Sequence, residues 1–260
     1  FSKLADSIGA SAFNAATSYN FTNYVVKIPS AELEQYLTLE AERFRNPVLR
    51  LFHTELETVY EEFNRGQDND YRKSLDASLQ TLFPDHPVGR SVIGLPEHIK
   101  APSMKDTMEF YRTFYVPSNM AGILSGDLHY ESVMEILEKT MGTLPAKAAP
   151  VHKTHSVKPL KKAVELSVQG ADAEHFRITC RLDLTPENRM LANLLSVLLC
   201  DNGYGLFDQN LVRSRKLLGA AAFSFELRDQ IIFMIAGNAF QGQTLEQAAE
   251  LVQQELKRVE

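Results

Sequence analysis

The chain has 260 residues and a formal net charge of −6, with 44% hydrophobic and 23% charged residues. This composition is ordinary for a globular protein of one or two domains. The acidic balance argues against a general nucleic-acid binder, which usually has a basic face. No apolar run approaches the roughly 18 residues that a membrane-spanning helix needs. The two cysteines, Cys180 and Cys200, give neither a disulfide framework nor a zinc-ribbon spacing.

The beginning of the chain predicts a helix, two strands and a second helix. Residues 1–8 place apolar side chains at helical intervals. Alternating β-branched and aromatic residues then predict strands over residues 12–17 and 22–28. A helix over residues 30–45 follows, and the Asn-Pro pair after it stops the helix.

Further helices and one strand are predicted before residue 146. Thr54 and Glu57 form T-x-x-E, a capping box, so we expect a helix to begin at Thr54 and to continue to about Arg65. The remaining predicted elements of this part are helices over residues 70–82, 103–115 and 131–141, and a strand in NMAGILSGD, residues 119–127.

Residues 147–161 are rich in Pro, Ala and Lys and lack apolar periodicity, so they are predicted to be a linker. Thr185 and Thr244 are predicted to cap two of the helices that follow, and Gln247 completes a capping box with Thr244. The predicted strands after the linker cover residues 163–169, 175–182, 220–227 and 231–236, and the predicted helices cover 186–199, 206–217 and 244–259.

These elements predict an α+β fold with two tandem, structurally similar domains, each a mostly antiparallel sheet packed with helices. The first domain is expected to cover residues 1–146 and the second residues 162–260, with residues 147–161 as the linker. The sequence contains no strong internal repeat.

The stretch TELETVYEEFNRGQDND is crowded with carboxylates. Glu55 and Glu62 lie seven residues apart, nearly two helical turns, and therefore share one face of the predicted helix. A carboxylate can bind zinc, and a second one can orient a ligand. One helix does not make a zinc site, because catalytic zinc usually takes three protein ligands. On these residues alone, a solvated acidic surface remains the stronger interpretation.

Other catalytic patterns are missing from the sequence. It contains no G-x-S-x-G, no G-x-x-x-x-G-K and no G-x-G-x-x-G motif. It also contains neither H-x-x-E-H nor H-E-x-x-H, so no pair of its histidines completes a metal site with the glutamates. His53 lies closest in sequence to Glu55, and a loop histidine is its simpler interpretation.

The order of several motifs resembles the insulinase/pitrilysin family of zinc metallopeptidases, which is related to mitochondrial processing peptidase. The series is IGASAFNAATSYNFTNYVVKIP, then RFRNPVL, then E-x-x-x-V-x-x-E at Glu55, Val59 and Glu62. FPDHPVGRSVIG, FYRTFYVPSNMAGILSGD and MGTLP follow in the order of that family's first domain. The second half, with LLCDNGYGLFDQNLVRSRKLLGAAAFSF, is similar to the companion domain more loosely.

The resemblance implies a zinc site and assigns roles to four residues. Glu62 corresponds to the zinc-ligand glutamate that follows an inverted H-x-x-E-H helix, and Glu55 to an acidic residue that supports the site. In the family, the glutamate within H-x-x-E-H is the general base that activates the zinc-bound water. Asn14 and Ala15 match the strand that holds the substrate backbone by strand addition.

The missing H-x-x-E-H motif is the main departure from the family. The family places that motif upstream of the first helix, so we expect the chain to be a piece of a longer protein that begins after the motif and is also cut in its second domain. The piece itself is expected to be inactive and to bind zinc poorly, because one protein ligand does not hold the metal.

The leading hypothesis is a zinc-dependent metalloendopeptidase that hydrolyses peptides or small unfolded proteins enclosed in a two-half clamp. Its expected partners are a peptide substrate and the opposing clamp half, either fused C-terminally or a separate subunit; neither nucleic acid nor a membrane span is expected. The alternative is a non-catalytic peptide-binding or assembly subunit of the same fold. An unrelated structural α+β protein would require the ordered motifs to be coincidence.

Overall fold

The computed structural model of the protein describes residues 1–259 as a mixture of helices and antiparallel sheets, which confirms the predicted α+β class. Within residues 1–259, none of the helices is both long and apolar enough to cross a membrane. The α-helices are α1 (Ser2–Ser7), α2 (Leu33–Arg45), α3 (Phe52–Gln67), α4 (Asp70–Leu82), α5 (Pro96–Lys100), α6 (Met104–Phe114), α7 (Tyr130–Lys139), α8 (Pro186–Leu199) and α9 (Leu245–Leu256). The strands are β1 (Ser11–Thr17), β2 (Thr22–Lys27), β3 (His175–Asp183), β4 (Gly219–Glu226) and β5 (Gln230–Asn238).

The chain divides into two compact units, and each unit is built from two separate stretches. The first unit contains Phe1–Phe63 and Val92–His155, and the second contains Asn64–Ser91 and Ser156–Glu260. Helix α4 therefore belongs to the same unit as strands β3, β4 and β5, although more than ninety residues of sequence separate it from the first of them. The continuous domain limits 1–146 and 162–260 stay a prediction.

Helix α2 carries the apolar core of the first unit. Leu33, Tyr36 and Leu37 are buried and recur at helical intervals, so one stripe of α2 faces inward. Partly buried side chains pack against this stripe from α1, from β2 and its exit, and from the segment around α7: Ile8, Val26, Ile28, Leu124, Leu128, Val133, Ile136, Leu137 and Met141. The hydrophobic contact with α2 therefore fixes one end of β2 to the helical layer.

Strands β1 and β2 form an antiparallel hairpin in the first unit. Asn14 lies opposite Val25 and Ala15 opposite Tyr24, and the register shifts between Ser11 and Asn14. Bulges of this kind bend a strand and increase its twist. All residues of β1 are exposed, and among the described residues β1 pairs with β2 alone.

The second unit has a three-stranded antiparallel sheet in the order β3-β5-β4. The central strand β5 is buried along Ile231–Ala236, as expected for a strand that is covered on both faces. Helices α8 and α9 contribute the buried residues Ala192, Leu199, Ala248 and Val252 to the core of this unit. This core also contains Phe207, Leu211, Leu217, Ala222, Ile231, Phe233, Ile235 and Ala239.

The predicted caps of the second unit are confirmed. The Thr185 side chain accepts a hydrogen bond from the Asn188 amide at the start of α8. The Thr244 hydroxyl accepts from the Gln247 amide at 3.2 Å, and the Gln247 side chain accepts from the Thr244 amide at 3.1 Å. These bonds satisfy amides that a helix leaves unpaired in its first turn, which fixes both start positions.

Asp70 anchors α4 to the loop before β3 in the second unit. Its Oδ2 accepts the Asp172 amide at 2.8 Å, and its Oδ1 lies 2.6 Å from the Lys73 ammonium. A Cβ at Gly170 would lie 1.9 Å from Asp70 Oδ2, so the loop passes the carboxylate at a distance that only glycine allows. The hydrogen bond from Lys73, followed by that from the Asp172 amide, lowers the pKa of Asp70.

Asp70→Asn is expected to reduce stability near neutral pH and to have progressively less effect in acid. The folded pKa lies below the unfolded value of about 3.8, so stability from the ionised carboxylate is present above that value and is lost as the pH falls through the folded pKa. Urea unfolding of wild type and Asp70→Asn between pH 7 and pH 3 measures the difference. A difference that stays constant over this range would contradict the assignment.

Two predicted strands are wrong. Residues 119–127 and 163–169 pair with no other strand among the described residues, so the hydrogen-bonded ladder that defines a strand is missing. Their apolar residues are correspondingly open to solvent: Ile123 is 92% exposed, and Val164, Leu166 and Val168 are about half exposed. Apolar alternation alone does not show whether a partner strand is available.

The predicted start of α3 and the helix predicted over residues 206–217 also need correction. The α3 helix begins at Phe52, and the Glu55 amide already donates to the Leu51 carbonyl, so Thr54 lies within the first turn and is not the cap. The later segment contains a π-helical stretch, Asp208–Arg213, instead of a regular α-helix.

Candidate functional site

Helix α3 carries the predicted carboxylate pair on an exposed surface. Glu55 and Glu62 are both exposed, and Val59 between them is half-buried. The helix places residues that are seven apart on one face and separates them by about 10 Å along its axis. This separation favours one carboxylate as a metal ligand and the other as a support for the site, rather than two ligands side by side.

The described residues do not by themselves form a zinc centre. No group of three or more His, Cys, Asp or Glu side chains within residues 1–259 could hold a metal ion. Zinc in catalytic sites usually takes three protein ligands. Helix α3 presents the exposed carboxylate of Glu62, and the described residues place no group of further metal ligands around it.

Strand β1 presents Asn14 and Ala15 on an edge. The Asn14 side chain accepts a hydrogen bond from the Ala15 amide at 2.8 Å. Ala12, two residues before Asn14, has a φ of 49°, which is uncommon for a residue with a Cβ and fits the irregular pairing there. An exposed edge strand can accept an extended peptide as a further strand.

An aromatic cluster positions the hairpin, and the sequence did not reveal it. The Tyr24 and Tyr115 hydroxyl groups lie 2.9 Å apart. The Arg43 guanidinium stacks 4.8 Å from the Tyr24 ring and 4.5 Å from the Phe44 ring. Tyr24 lies opposite Ala15 in the hairpin, so the cluster connects α2 to the part of β1 that carries the predicted substrate-binding residues. The RFR residues of RFRNPVL, which include Arg43 and Phe44, were the part of the sequence that could have indicated this cluster.

A buried ion pair holds Arg43 in this cluster. Glu40 is only 6% exposed; it accepts a short hydrogen bond from Arg43 Nη2 and a second one from the Tyr36 hydroxyl at 2.9 Å. Burial opposes the charge of Arg43, but the hydrogen bond and attraction from Glu40 outweigh it and raise the pKa of Arg43. Burial and the Tyr115 hydroxyl raise the pKa of Tyr24, which keeps this phenol neutral.

The α+β fold, the acidic helix α3 and the edge strand β1 are the features that the resemblance to zinc metallopeptidases implies. A sequence profile described as Insulinase (Peptidase family M16) matches residues 1–95, and one described as Peptidase M16 inactive domain matches residues 103–260. The chain belongs to peptidase family M16, which confirms the resemblance found in its motifs.

Known relatives support this assignment and its fold. The zinc protease PqqE of Helicobacter pylori is 27% identical over 250 residues, covering 91% of this chain and 55% of that protein. The crystal structure of a protease from Helicobacter pylori has a TM-score of 0.83 at 22% identity, covering 99% of this chain and 63% of that one. The first half of the periplasmic protease PqqL from Escherichia coli has a TM-score of 0.69 at 21% identity, covering 94% of this chain and 55% of that one. The chain thus spans about half the length of the PqqE protein it matches.

Proposed function

We propose that the chain is part of a zinc-dependent metalloendopeptidase that hydrolyses peptides or small unfolded proteins. The observation that carries the proposal is the exposed carboxylate of Glu62 on α3, within the residues that the insulinase profile matches. Relatives of the chain are named zinc proteases, which supports zinc as the metal of the parent protein.

Each predicted residue has a role in this proposal. Glu62 supplies one zinc ligand, and Glu55, on the same face of α3, orients the site. Asn14 and Ala15 hold the substrate backbone as an added strand on β1. An H-x-x-E-H motif and an opposing clamp half, fused or separate, supply what the described residues lack.

Metal removal tests the proposal on the full-length parent protein. The purified protein is expected to cleave a quenched fluorescent peptide. It should lose this activity after dialysis against a zinc chelator and regain it when about one equivalent of Zn²⁺ is returned. The zinc content of the protein, measured at each step, should follow the rate. Cleavage that continues in the metal-free protein would overturn the proposal.

A non-catalytic peptide-binding or assembly subunit is the second candidate. The sequence given contains no H-x-x-E-H motif, and a parent protein that had lost this motif would be such a subunit. This candidate predicts that a labelled peptide binds to the parent protein and is recovered intact, with zinc present or removed. Stoichiometric binding without cleavage therefore separates it from the peptidase.

A further inference from the structure

A cavity of about 440 Å³ lies in the first unit, between the end of α2, one face of α6 and the segment that follows α7. The residues that line it fall within 44–48, 108–120 and 144–147, and all of these belong to the first unit. Its volume is within the range of roughly 300–1,000 Å³ that is typical of small-molecule sites. Neither α3 nor β1 contributes to the lining, so the cavity is separate from the proposed peptidase residues.

Helix α6 and its end turn one stripe of side chains toward this cavity. Four residues of the segment line it, at the intervals i, i+3, i+4 and i+7 that form one face of a helix: Met108, Tyr111, Arg112 and Tyr115. Arg112 therefore shares its face of the helix with two aromatic rings. Because Arg112 is exposed and still lines the cavity, its side chain lies at the opening.

The aromatic wall of the cavity is held in place by contacts within the first unit. The Tyr111 ring stacks on the Tyr115 ring with 4.6 Å between centroids and 12° between planes. The Tyr111 hydroxyl donates to the Phe44 carbonyl at 3.1 Å, and the Phe44 ring stacks on Tyr115 with 6.4 Å between centroids. A wall that is already ordered costs a ligand little additional ordering entropy. Its stacked rings favour a ligand with a flat apolar body.

Among the described residues that line the cavity, every charged one is a cation: Arg45, Arg112 and Lys147. Arg45 donates to the Thr143 hydroxyl at 2.5 Å and lies 3.6 Å from the exposed carboxylate of Glu42. The Lys147 ammonium donates to the Arg112 carbonyl at 2.6 Å, which brings this second charge to the end of α6 beside Arg112. The Arg112 guanidinium itself forms no hydrogen bond or ion pair within residues 1–259. Its donors are therefore available to a ligand.

We propose that this cavity binds a small organic acid, with its apolar body against the aromatic wall and its carboxylate at Arg112 and Lys147. A guanidinium donates two parallel N–H bonds that match the two oxygens of one carboxylate, and a neighbouring ammonium adds a second positive charge. No Asp or Glu among the described lining residues repels an acid or attracts a cationic ligand. A mostly apolar cavity with a few polar groups at one place is the usual form of such sites.

Binding of two naphthalene probes of equal shape to the 260-residue chain tests the site. Naphthalene-2-carboxylate carries the acid, and naphthalene-2-carboxamide is neutral. The chain has no Trp, so the fluorescence anisotropy of each probe is measured without tryptophan emission. The carboxylate is expected to saturate at one molecule per chain with a Kd of roughly 0.1 mM. The carboxamide should bind at least about tenfold more weakly, because it loses the charge-assisted hydrogen bonds.

Matched variants assign the binding to this cavity. Arg112→Gln is expected to weaken binding of the carboxylate about tenfold and to leave the Kd of the carboxamide unchanged. Arg112 is exposed, so the substitution removes no core contact, and circular dichroism checks that the variant is folded. Arg50→Gln removes the same charge from an exposed arginine of the first unit that does not line the cavity. This control should keep both Kd values.

Three outcomes would overturn the proposal. One is equal affinity for the carboxylate and the carboxamide, because the cations would then select nothing. Another is a carboxylate Kd that Arg112→Gln leaves unchanged, or that Arg50→Gln raises equally, since binding would then follow the general charge of the surface. The third is an acidic peptide that binds through Arg112 while the naphthalene carboxylate does not bind, which would assign the cavity to a protein partner instead of a small acid.

Discussion

Glu62→Gln in the full-length parent protein is expected to reduce zinc content and peptide hydrolysis together, by at least about 100-fold. A glutamine amide is neutral and binds zinc far more weakly than a carboxylate. Loss of a residue that only hydrogen-bonds to a zinc ligand already lowers metal affinity or activity by about 10–100-fold. Glu62 is exposed on α3, so the substitution removes no core contact. Zinc content by mass spectrometry and kcat/KM on one peptide measure the two effects.

Glu61→Gln is the matched control, because it removes the same charge from the neighbouring exposed position, about 100° around the helix. It should leave zinc content and rate unchanged. Glu55→Gln should give an intermediate loss of about 10–100-fold, as expected of a supporting group. Equal losses in Glu61→Gln and Glu62→Gln would mean that general acidity of α3, rather than one ligand, matters. That result would remove Glu62 from the site.

Arg43→Met is expected to lower the free energy of unfolding by about 3–5 kcal/mol. The substitution leaves the Glu40 carboxylate buried without its cation, which is the costly way to break an ion pair. It also removes the stacking of the guanidinium on Tyr24 and Phe44, so the hairpin loses one of its contacts with α2. Chemical denaturation of the chain, followed by circular dichroism, measures the change.

Two further variants separate the ion pair from the loss of packing. Arg45→Met removes an arginine of the same helix whose partners, Glu42 and the Thr143 hydroxyl, are both exposed, and it should cost about 1 kcal/mol or less. Adding Glu40→Gln to Arg43→Met removes the stranded charge and keeps an acceptor for Tyr36, so stability should partly return. If the double variant is less stable than Arg43→Met, the buried charge is not the cause.

Local sequence signals predicted much of the second unit. Thr185 and Thr244 are found at the caps that their side chains predicted, because such caps depend on residues only three positions away. Strands that pair through neighbouring residues, such as β4 and β5, were also predicted near their observed limits. Signals of this kind need no knowledge of distant parts of the chain.

The wrongly predicted strands, and the contacts that the sequence did not reveal, depend on residues that are distant in the sequence. Residues 163–169 have the alternation of a strand, but no neighbouring strand pairs with them among the described residues. Arg177 and Arg181 read as ordinary polar positions of β3, and their burial follows from α4, which lies about a hundred residues earlier. The aromatic cluster around Arg43 could not be predicted either, since Tyr24 and Tyr115 meet only in the folded first unit.

The candidate site was predicted in part. The helical face shared by Glu55 and Glu62 follows from their spacing, and the structure places both on α3. Asn14 and Ala15 were predicted to lie in a strand, and the structure places them in β1, which pairs with β2 alone among the described residues. Their roles stay predictions, because a role depends on a metal and a peptide, and the spacing of residues within one helix or strand does not specify either.

The two-part construction of the second unit has a consequence for the order of synthesis. On the ribosome, Asn64–Ser91 emerges before Val92–His155, and only then does Ser156–Glu260 follow. Helix α4 must therefore wait for β3 before Tyr71 and His175 can stack. A gene truncated to residues 162–260 would produce β3 without α4, so the β3 side chains that contact α4, among them His175 and Arg177, would have no cover. Recombinant versions of this unit should keep residues 64–91, for example by a circular permutation that joins them to β3.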